Sequence, residues 1–190
     1  MWYVVPTAVG REDSLCSWIN DYLDKRTYTR CFVPKYEEVR RKQGVAFIVM
    51  QQLFSGYIFI DTEYPDEVLE QINKTDKFSA LISVGSDGKR QLLPLQIGEE
   101  HFLDQVLIDG VLKVSYVQKN ENNEVELMIG PLEKYRDRIE EMNLHNRRAL
   151  VKIPMLREEK LVRFCLWLKN DPKIEWIEEE KTRRGYRNTE

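Results

Sequence analysis

The chain has 190 residues, of which 42% are hydrophobic and 32% charged, and its formal net charge is −3. That balance excludes a disordered chain, and also one that coats nucleic acid by bulk charge, so any nucleic-acid contact must be a local patch. The longest apolar run, residues 45–50, is far short of the roughly 20 residues a membrane-spanning helix needs. Met1-Trp2-Tyr3-Val4-Val5 opens as a strand without the basic region of a signal peptide, so a cytoplasmic protein with no membrane role is expected.

Residues 2–5 predict a first strand and residues 7–11 a loop. Asp13 is placed to cap a helix whose apolar residues, Leu15, Trp18, Ile19, Tyr22 and Leu23, recur at i, i+3, i+4, i+7 and i+8. Strands at 30–33 and 45–50 follow, joined by the charged segment 35–42. After Leu53-Phe54-Ser55-Gly56 comes a strand at 57–60. Pro65 opens a second helix with Val68, Leu69 and Ile72 inward, since proline suits a first helical turn. Residues 78–84 predict a strand turning at Gly85-Ser86-Asp87-Gly88, and Gly98-Glu99-Glu100 begins a third helix with Phe102, Leu103, Val106 and Leu107 on one face. Mixed helices and strands with short links predict an α+β layer of helices on an antiparallel sheet. From about residue 111 the periodicity changes to short strands at 111–117, 125–129, 138–142, 149–153 and 161–168, which predicts a small all-β barrel. The expected organisation is therefore a first domain at 1–107, a linker and first barrel segment at 108–124, the barrel at 125–170 and a loosely packed charged tail at 171–190.

Catalytic chemistry is missing. Gly85-Ser86-Asp87-Gly88-Lys89 lacks the phosphate-loop spacing, and Arg90 stands where a metal-binding hydroxyl belongs. There is no G-x-S-x-G and no H-E-x-x-H. The histidines, His101 and His145, fall in different predicted domains, and Cys16, Cys31 and Cys165 are scattered, as reduced thiols would be. Neighbouring acids such as Glu99-Glu100 and Glu140-Glu141 read as solvated charge. The sequence gives no reason to expect a catalytic residue, a metal site or a cofactor. What remains is surface: an aromatic excess in Trp2, Tyr3, Phe54, Tyr57 and Phe59, and a basic loop of His145, Asn146, Arg147 and Arg148.

Trp2-Tyr3-Val4, Cys31-Phe32-Val33-Pro34 before a charged hairpin, and Leu53-Phe54-Ser55-Gly56-Tyr57-Ile58-Phe59-Ile60 resemble the N-terminal (NGN) domain of the NusG family of transcription elongation factors. Gly130-Pro131-Leu132, Ile139 and His145-x-Arg147-x-Ala149-x-Val151 resemble the accompanying KOW barrel. Ser55 replaces the family proline of L-F-P-G-Y, Tyr135-Arg136-Asp137 replaces the usual central KOW glycine, and Pro154-Met155-Leu156-Arg157 stands where housekeeping members carry F-G-R-x-T-P-V-E-L. The chain is thus more similar to the specialised LoaP and RfaH branches.

The resemblance implies a non-enzymatic factor. Its first domain would grip the β′ clamp helices of bacterial RNA polymerase through Trp2, Tyr3, Phe54, Tyr57 and Phe59, with Phe78 and Val84 at the rim. A ligand preferring the elongating clamp by about 1.4 kcal/mol lowers the paused population tenfold. Arg11, Arg40, Arg41 and Lys42 would approach non-template DNA. His145, Asn146, Arg147, Arg148 and Lys152, extended by Lys134, Arg136 and Arg138 along one side of a strand, would read a hairpin in the nascent leader RNA. A monomeric, operon-restricted antiterminator is the implied function. A housekeeping factor coupling polymerase to Rho or the ribosome, and a ribosome-associated KOW protein, stay open as alternatives. The specialised branch can fold its second domain as helices, but strand-type alternation in Leu127, Ile129, Ile139, Leu150, Val151, Ile153, Val162, Phe164 and Leu166 predicts the β form here.

Overall fold

The computed structural model describes residues 1–74, 90–122 and 124–185. In chain order the elements are β1 (Trp2–Pro6), α1 (Glu12–Tyr22), β2 (Arg30–Phe32), β3 (Lys35–Lys42), β4 (Val45–Gln52), β5 (Tyr57–Asp61), α2 (Pro65–Asn73), β6 (Leu93–Pro94) and α3 (Ile97–Val106). Then come β7 (Leu107–Ile108), β8 (Val111–Leu112), β9 (Ser115–Lys119), β10 (Val125–Ile129), a 3-10 helix (Pro131–Arg138), β11 (Ile139–Asn143), β12 (Arg148–Met155), β13 (Glu158–Leu168) and α4 (Glu175–Arg183). The chain divides into two compact units, Met1–Lys35 with Gln52–Asp104, and Tyr36–Gln51 with Gln105–Glu190. The fold is α+β, with an all-β region in the C-terminal half.

The first unit is built on a sheet of order β2-β5-β1-β6. Its antiparallel register sets Val5 opposite Ile58 and Cys31 opposite Ile60. Side chains alternate across a sheet, so these four face one side. There they join Leu15 and Ile19 of α1 and Val68 and Ile72 of α2 in an apolar core. Ile19, Ile58 and Ile60 have no exposed surface, and each such burial contributes about 2 kcal/mol. The periodicities of α1 and α2 are thereby explained.

The start of α1 differs from expectation. It begins at Glu12, with Arg11 at the cap position and no side-chain cap bond. Asp13 lies inside the first turn and pairs with Lys35 at 2.8 Å. Glu12 is instead drawn inward, because its carboxylate satisfies buried donors of the neighbouring loop, as described below. The predicted strand at 78–84 and its turn lie outside the described residues.

In the second unit β10-β9-β13-β12-β11 form a five-stranded sheet, antiparallel except where β13 runs parallel to β9. Residues 125–168 are thus in the β form apart from the 3-10 helix and turns. The charged segment 35–42, read from its composition as a link between strands, is itself strand β3 and pairs with β4 as the charged hairpin that the resemblance implies, in a second sheet of order β4-β3-β8-β7. Its turn is Gln43-Gly44, where both residues have positive φ, +53° and +81°, as tight hairpin turns require. Tyr36, Val39, Ala46 and Ile48 from this hairpin pack on a core of Val114, Tyr116, Leu127, Ile129, Cys165, Trp167 and Ile177. Its charges serve the same attachment. Glu37 accepts bonds from the Val114 N–H and the Lys113 ammonium, both at 2.9 Å, and Glu38 from Arg163 at 3.1 Å.

Two further corrections concern the C-terminal half. Lys134, Arg136 and Arg138 do not alternate along a strand. They lie on the 3-10 segment, which is kinked at Tyr135 (φ −118°, ψ 21°), so no strand alternation sets them on one side. The charged tail does not fray over residues 175–183 but forms α4, whose Ile177 is buried and whose Lys181 ammonium sits 3.7 Å from the Tyr116 ring centre.

Candidate functional site

The sheet face of the first unit opposite α1 and α2 is aromatic. Val4 and Phe32 both stand opposite Phe59 in the register, so Trp2, Phe32, Tyr57 and Phe59 share that side. The rings form a continuous run. Trp2 meets Phe32 edge-on at 5.4 Å, Phe32 lies 6.1 Å from Phe59, and Phe59 lies 5.9 Å from Phe54. Such pairs add about 0.5–1.5 kcal/mol beyond burial. The Arg30 guanidinium lies 4.1 Å from the centre of the Phe32 ring.

Exposure sorts the five aromatics expected at a partner surface. Phe59 is 0% and Phe54 6% exposed, so both are core and present almost nothing to a partner. Trp2 and Tyr57 are half-buried and keep accessible surface. Tyr3 is half-buried too, but stands opposite Ile60 and so faces the helix-covered side. Phe78 and Val84 lie outside the described residues. Half-buried Phe32 and exposed Arg30 join the face without having been singled out. The signal that finds them is cross-strand register, which Cys31-Phe32 alone does not carry.

The loop before β5 holds this face in place. Gly56 has φ +84°, and a Cβ there would meet the Thr7 carbonyl oxygen at 3.4 Å. Its N–H donates to Glu12 Oε1 at 2.7 Å, and the Gln52 amide donates to Glu12 Oε2 at 3.1 Å. Thr7 N–H returns a bond to the Gly56 carbonyl at 2.8 Å. Burial alone would raise the Glu12 pKa, but the bonds from its own N–H, Gly56, Gln52 and Gly10 outweigh it and leave the carboxyl below its ordinary range.

The basic residues separate into two kinds. Arg41 and Arg147 converge on Asp171, whose side chain has no exposed surface. Arg147 donates through Nε to Oδ2 at 2.8 Å and through a terminal nitrogen to Oδ1 at 2.9 Å, while its other nitrogen reaches the Leu144 carbonyl. The Leu168 N–H adds a bond at 2.9 Å. Desolvation pushes the Asp171 pKa upward, yet Arg147, Leu168 and Arg41 together hold it below the usual carboxylate range. A buried carboxylate persists only when paired, so Arg147, with 11% of its side chain exposed, is structural, whereas Arg41 reaches Asp171 while 52% of its side chain stays at the surface. Arg148 is half-buried and pairs with Glu141 at 2.7 Å.

The others remain at the surface. Arg11 is exposed after β1, and Arg40 and Lys42 at the end of β3, with Arg40 bonded to Glu38 at 2.7 Å. His145 and Asn146 are exposed in the β11–β12 turn, which the Asn146 N–H closes onto Asn143 Oδ1 at 2.9 Å. Lys134, Arg136, Arg138 and Lys152 are exposed, the last 3.6 Å from Glu159. Among the described residues no cluster of His, Cys, Asp or Glu is arranged to hold a metal ion, and no helix is long and apolar enough to cross a membrane.

The family model described as NusG, transcription termination factor nusG, matches residues 1–102. The transcription termination/antitermination protein NusG of Thermus thermophilus is 23% identical over 173 residues, covering 83% of this chain and 91% of its own length. The solved structure of NusG from Thermotoga maritima, described for its domain interaction, has 17% identity and a TM-score of 0.44, covering 86% of this chain and 92% of that one. With the family model matching more than half its length, the chain belongs to the NusG family of transcription factors, which are not enzymes.

Proposed function

We propose that this chain is a processive antiterminator that binds the β′ clamp helices of bacterial RNA polymerase as a monomer in the cytoplasm and suppresses pausing and termination on particular operons. The observation that carries the binding half is the aromatic face, on which Trp2, Phe32 and Tyr57 keep accessible surface over the buried support of Phe54 and Phe59. Half-exposed rings on a rigid sheet suit a hot spot, because little conformational entropy is lost on docking. Arg30 at the edge of that face adds a cation for an acidic rim on the partner. Specialisation is supported by sequence: Pro154-Met155-Leu156-Arg157 stands where housekeeping members carry the segment that engages Rho and the ribosome.

Operon choice would come from a hairpin in the leader RNA, met by exposed residues of the second unit, with Arg11 placed for non-template DNA. The second reading is a housekeeping factor coupling polymerase to Rho or the ribosome; the Thermus relative is described by both termination and antitermination, which fits either reading. Two experiments decide. Titration against an isolated clamp-helix hairpin should give saturable binding that Tyr57→Ala weakens. Transcription of a leader-bearing template should show more readthrough with the protein, with or without Rho. Absence of binding would sink the polymerase reading, and increased termination only with Rho would establish the housekeeping one.

A further inference from the structure

Fifteen residues separate Cys16 on α1 from Cys31 on β2, yet their sulfurs lie 3.7 Å apart across the core of the first unit. Both are buried free thiols, 8% and 7% exposed. The backbone between the two elements is pinned at this level. The Asn20 carboxamide donates to the Cys16 carbonyl and to the Cys31 carbonyl, each at 3.0 Å, and to the Cys16 sulfur at 3.5 Å. In a disulfide the sulfurs lie about 2.0 Å apart, so the pair has to close by less than 2 Å from its present 3.7 Å.

We propose that Cys16 and Cys31 are an oxidation site that closes to an intramolecular disulfide when the protein meets a hydroperoxide. The Cys16 thiolate attacks the distal oxygen of ROOH. The O–O bond breaks, Cys16 becomes a sulfenic acid, and ROH leaves with a proton from solvent. The Cys31 thiol then attacks the Cys16 sulfur: the S–S bond forms, the S–O bond breaks, and the hydroxyl leaves as water with the Cys31 proton. Two thiols are oxidised by two electrons, and one hydroperoxide is reduced to an alcohol and water.

The order of events follows from the surroundings of the two sulfurs. The Asn20 amide donates to the Cys16 sulfur at 3.5 Å and so favours a thiolate there, while burial keeps the proton on Cys31. Asp13 opposes and Lys35 favours the Cys16 thiolate, and Lys25 is the charged group acting on Cys31. Cys165, in the second unit, is an internal control, its thiol pushed up to about 11 chiefly by burial. The bridge would tie β2, an edge strand, to α1 and so hold Phe32 and Arg30 on the aromatic face.

The test treats the folded full-length chain with hydrogen peroxide, blocks remaining thiols with N-ethylmaleimide in denaturant, and maps tryptic peptides. Cleavage at Lys25, Arg26 and Arg30 separates the two cysteines, so the bridge appears as a peptide of residues 12–25 linked to one of residues 31–35. The expected result is that link, with Cys165 recovered alkylated and the melting temperature raised on the order of 10 °C in a thiol-reversible way. Cys165→Ser should leave the link unchanged, and Cys31→Ser should stall Cys16 as a sulfenic acid captured by dimedone. The proposal is overturned if Cys16 passes to sulfinic acid without a link, if the link forms only after unfolding, or if Cys165 takes part. Should Cys31→Ser not fold, the parent chain and Cys165→Ser still decide.

Discussion

Arg147 closes a two-pronged bond onto Asp171, 24 residues further along the chain, and does so where the carboxylate has no contact with water. The pair joins the β11–β12 turn to the segment that follows β13. Arg41 reaches the same carboxylate from β3, so one buried acid ties together three parts of the second unit. Arg147 also adopts φ +53°, an uncommon conformation for a residue with a side chain, as it turns its guanidinium inward.

Arg147→Ala would leave Asp171 buried with only one arginine. Removing one partner of a buried pair costs about 3 kcal/mol, and Arg147→Lys, which keeps the charge but loses the fork, should cost less. The Trp167 indole N–H donates to the Pro172 carbonyl at 2.6 Å, beside the pair, so its amide-region resonance reports on the site. Urea unfolding should show a lower midpoint for the alanine variant. An unchanged midpoint, with the Trp167 resonance unmoved, would remove the structural role argued here.

Acid should weaken both units. Glu12 and Asp171 each have a folded pKa below the ordinary value. The folded chain therefore binds fewer protons than the unfolded chain near pH 4, and the stability these groups contribute is present above the unfolded carboxylate pKa and lost as pH falls through the folded one. Unfolding midpoints should be flat from about pH 7 to 5 and fall steeply below about 4. Glu12→Gln should shallow that fall for the first unit. Equal steepness in the variant and the parent would show that Glu12 is not a source of it.

The aromatic face predicts a division of effects. Trp2→Ala, Phe32→Ala and Tyr57→Ala should each weaken clamp-helix binding by about 2 kcal/mol, roughly thirtyfold, with circular dichroism unchanged. Phe59→Ala removes a ring with no exposed surface and should cost roughly 3–5 kcal/mol of stability instead. If Phe32→Ala bound normally while Tyr57→Ala did not, the contact would centre on the β5 end of the face and not on the Trp2–Phe32 pair.

How much of this was legible in the sequence depends on the distance over which residues act. Leu15 and Ile19, Val68 and Ile72, and the alternating residues of β12 and β13 declare their elements locally, and the structure has them so. The pairing of Cys16 with Cys31, of Arg147 with Asp171, and of Phe32 with Phe59 depends on chain reversal, which periodicity does not encode. Arg147 read as a free surface cation because nothing within a few residues of it is acidic; its partner waits beyond β13. α4 was hidden because it buries little: its buried residues are Ile177 and Lys181, too short a stripe to stand out among seven other charged residues at positions 173–184. The β3 strand was hidden because its inward charges, Glu37 and Glu38, bond to Lys113 and Arg163, residues that only the fold brings near.

The last prediction concerns RNA, and the Arg147–Asp171 pair changes how it must be tested. Substituting Arg147 would damage the second unit, so a loss of RNA binding in that variant says nothing about recognition. Clean substitutions are the exposed ones. Lys134, Arg136 and Arg138 are exposed on the kinked 3-10 segment, where their long cationic side chains can meet phosphates. Replacing all three with glutamine should weaken cognate and scrambled leader hairpins alike, and should reduce the slope of log affinity against log salt by about 2, three contacts at roughly 0.7 each. His145 and Asn146 sit exposed at the turn tip with hydrogen-bonding groups of the kind that reach base edges in an unpaired loop. Asn146→Ala should therefore cut the preference for the cognate hairpin, by about 1–2 kcal/mol, while leaving the salt slope as it was. The two variants separate phosphate positioning from sequence reading in one titration series. If the triple variant kept its slope and Asn146→Ala kept full discrimination, the leader would have to be read by the first unit, and Arg11 with the aromatic face would be the place to look.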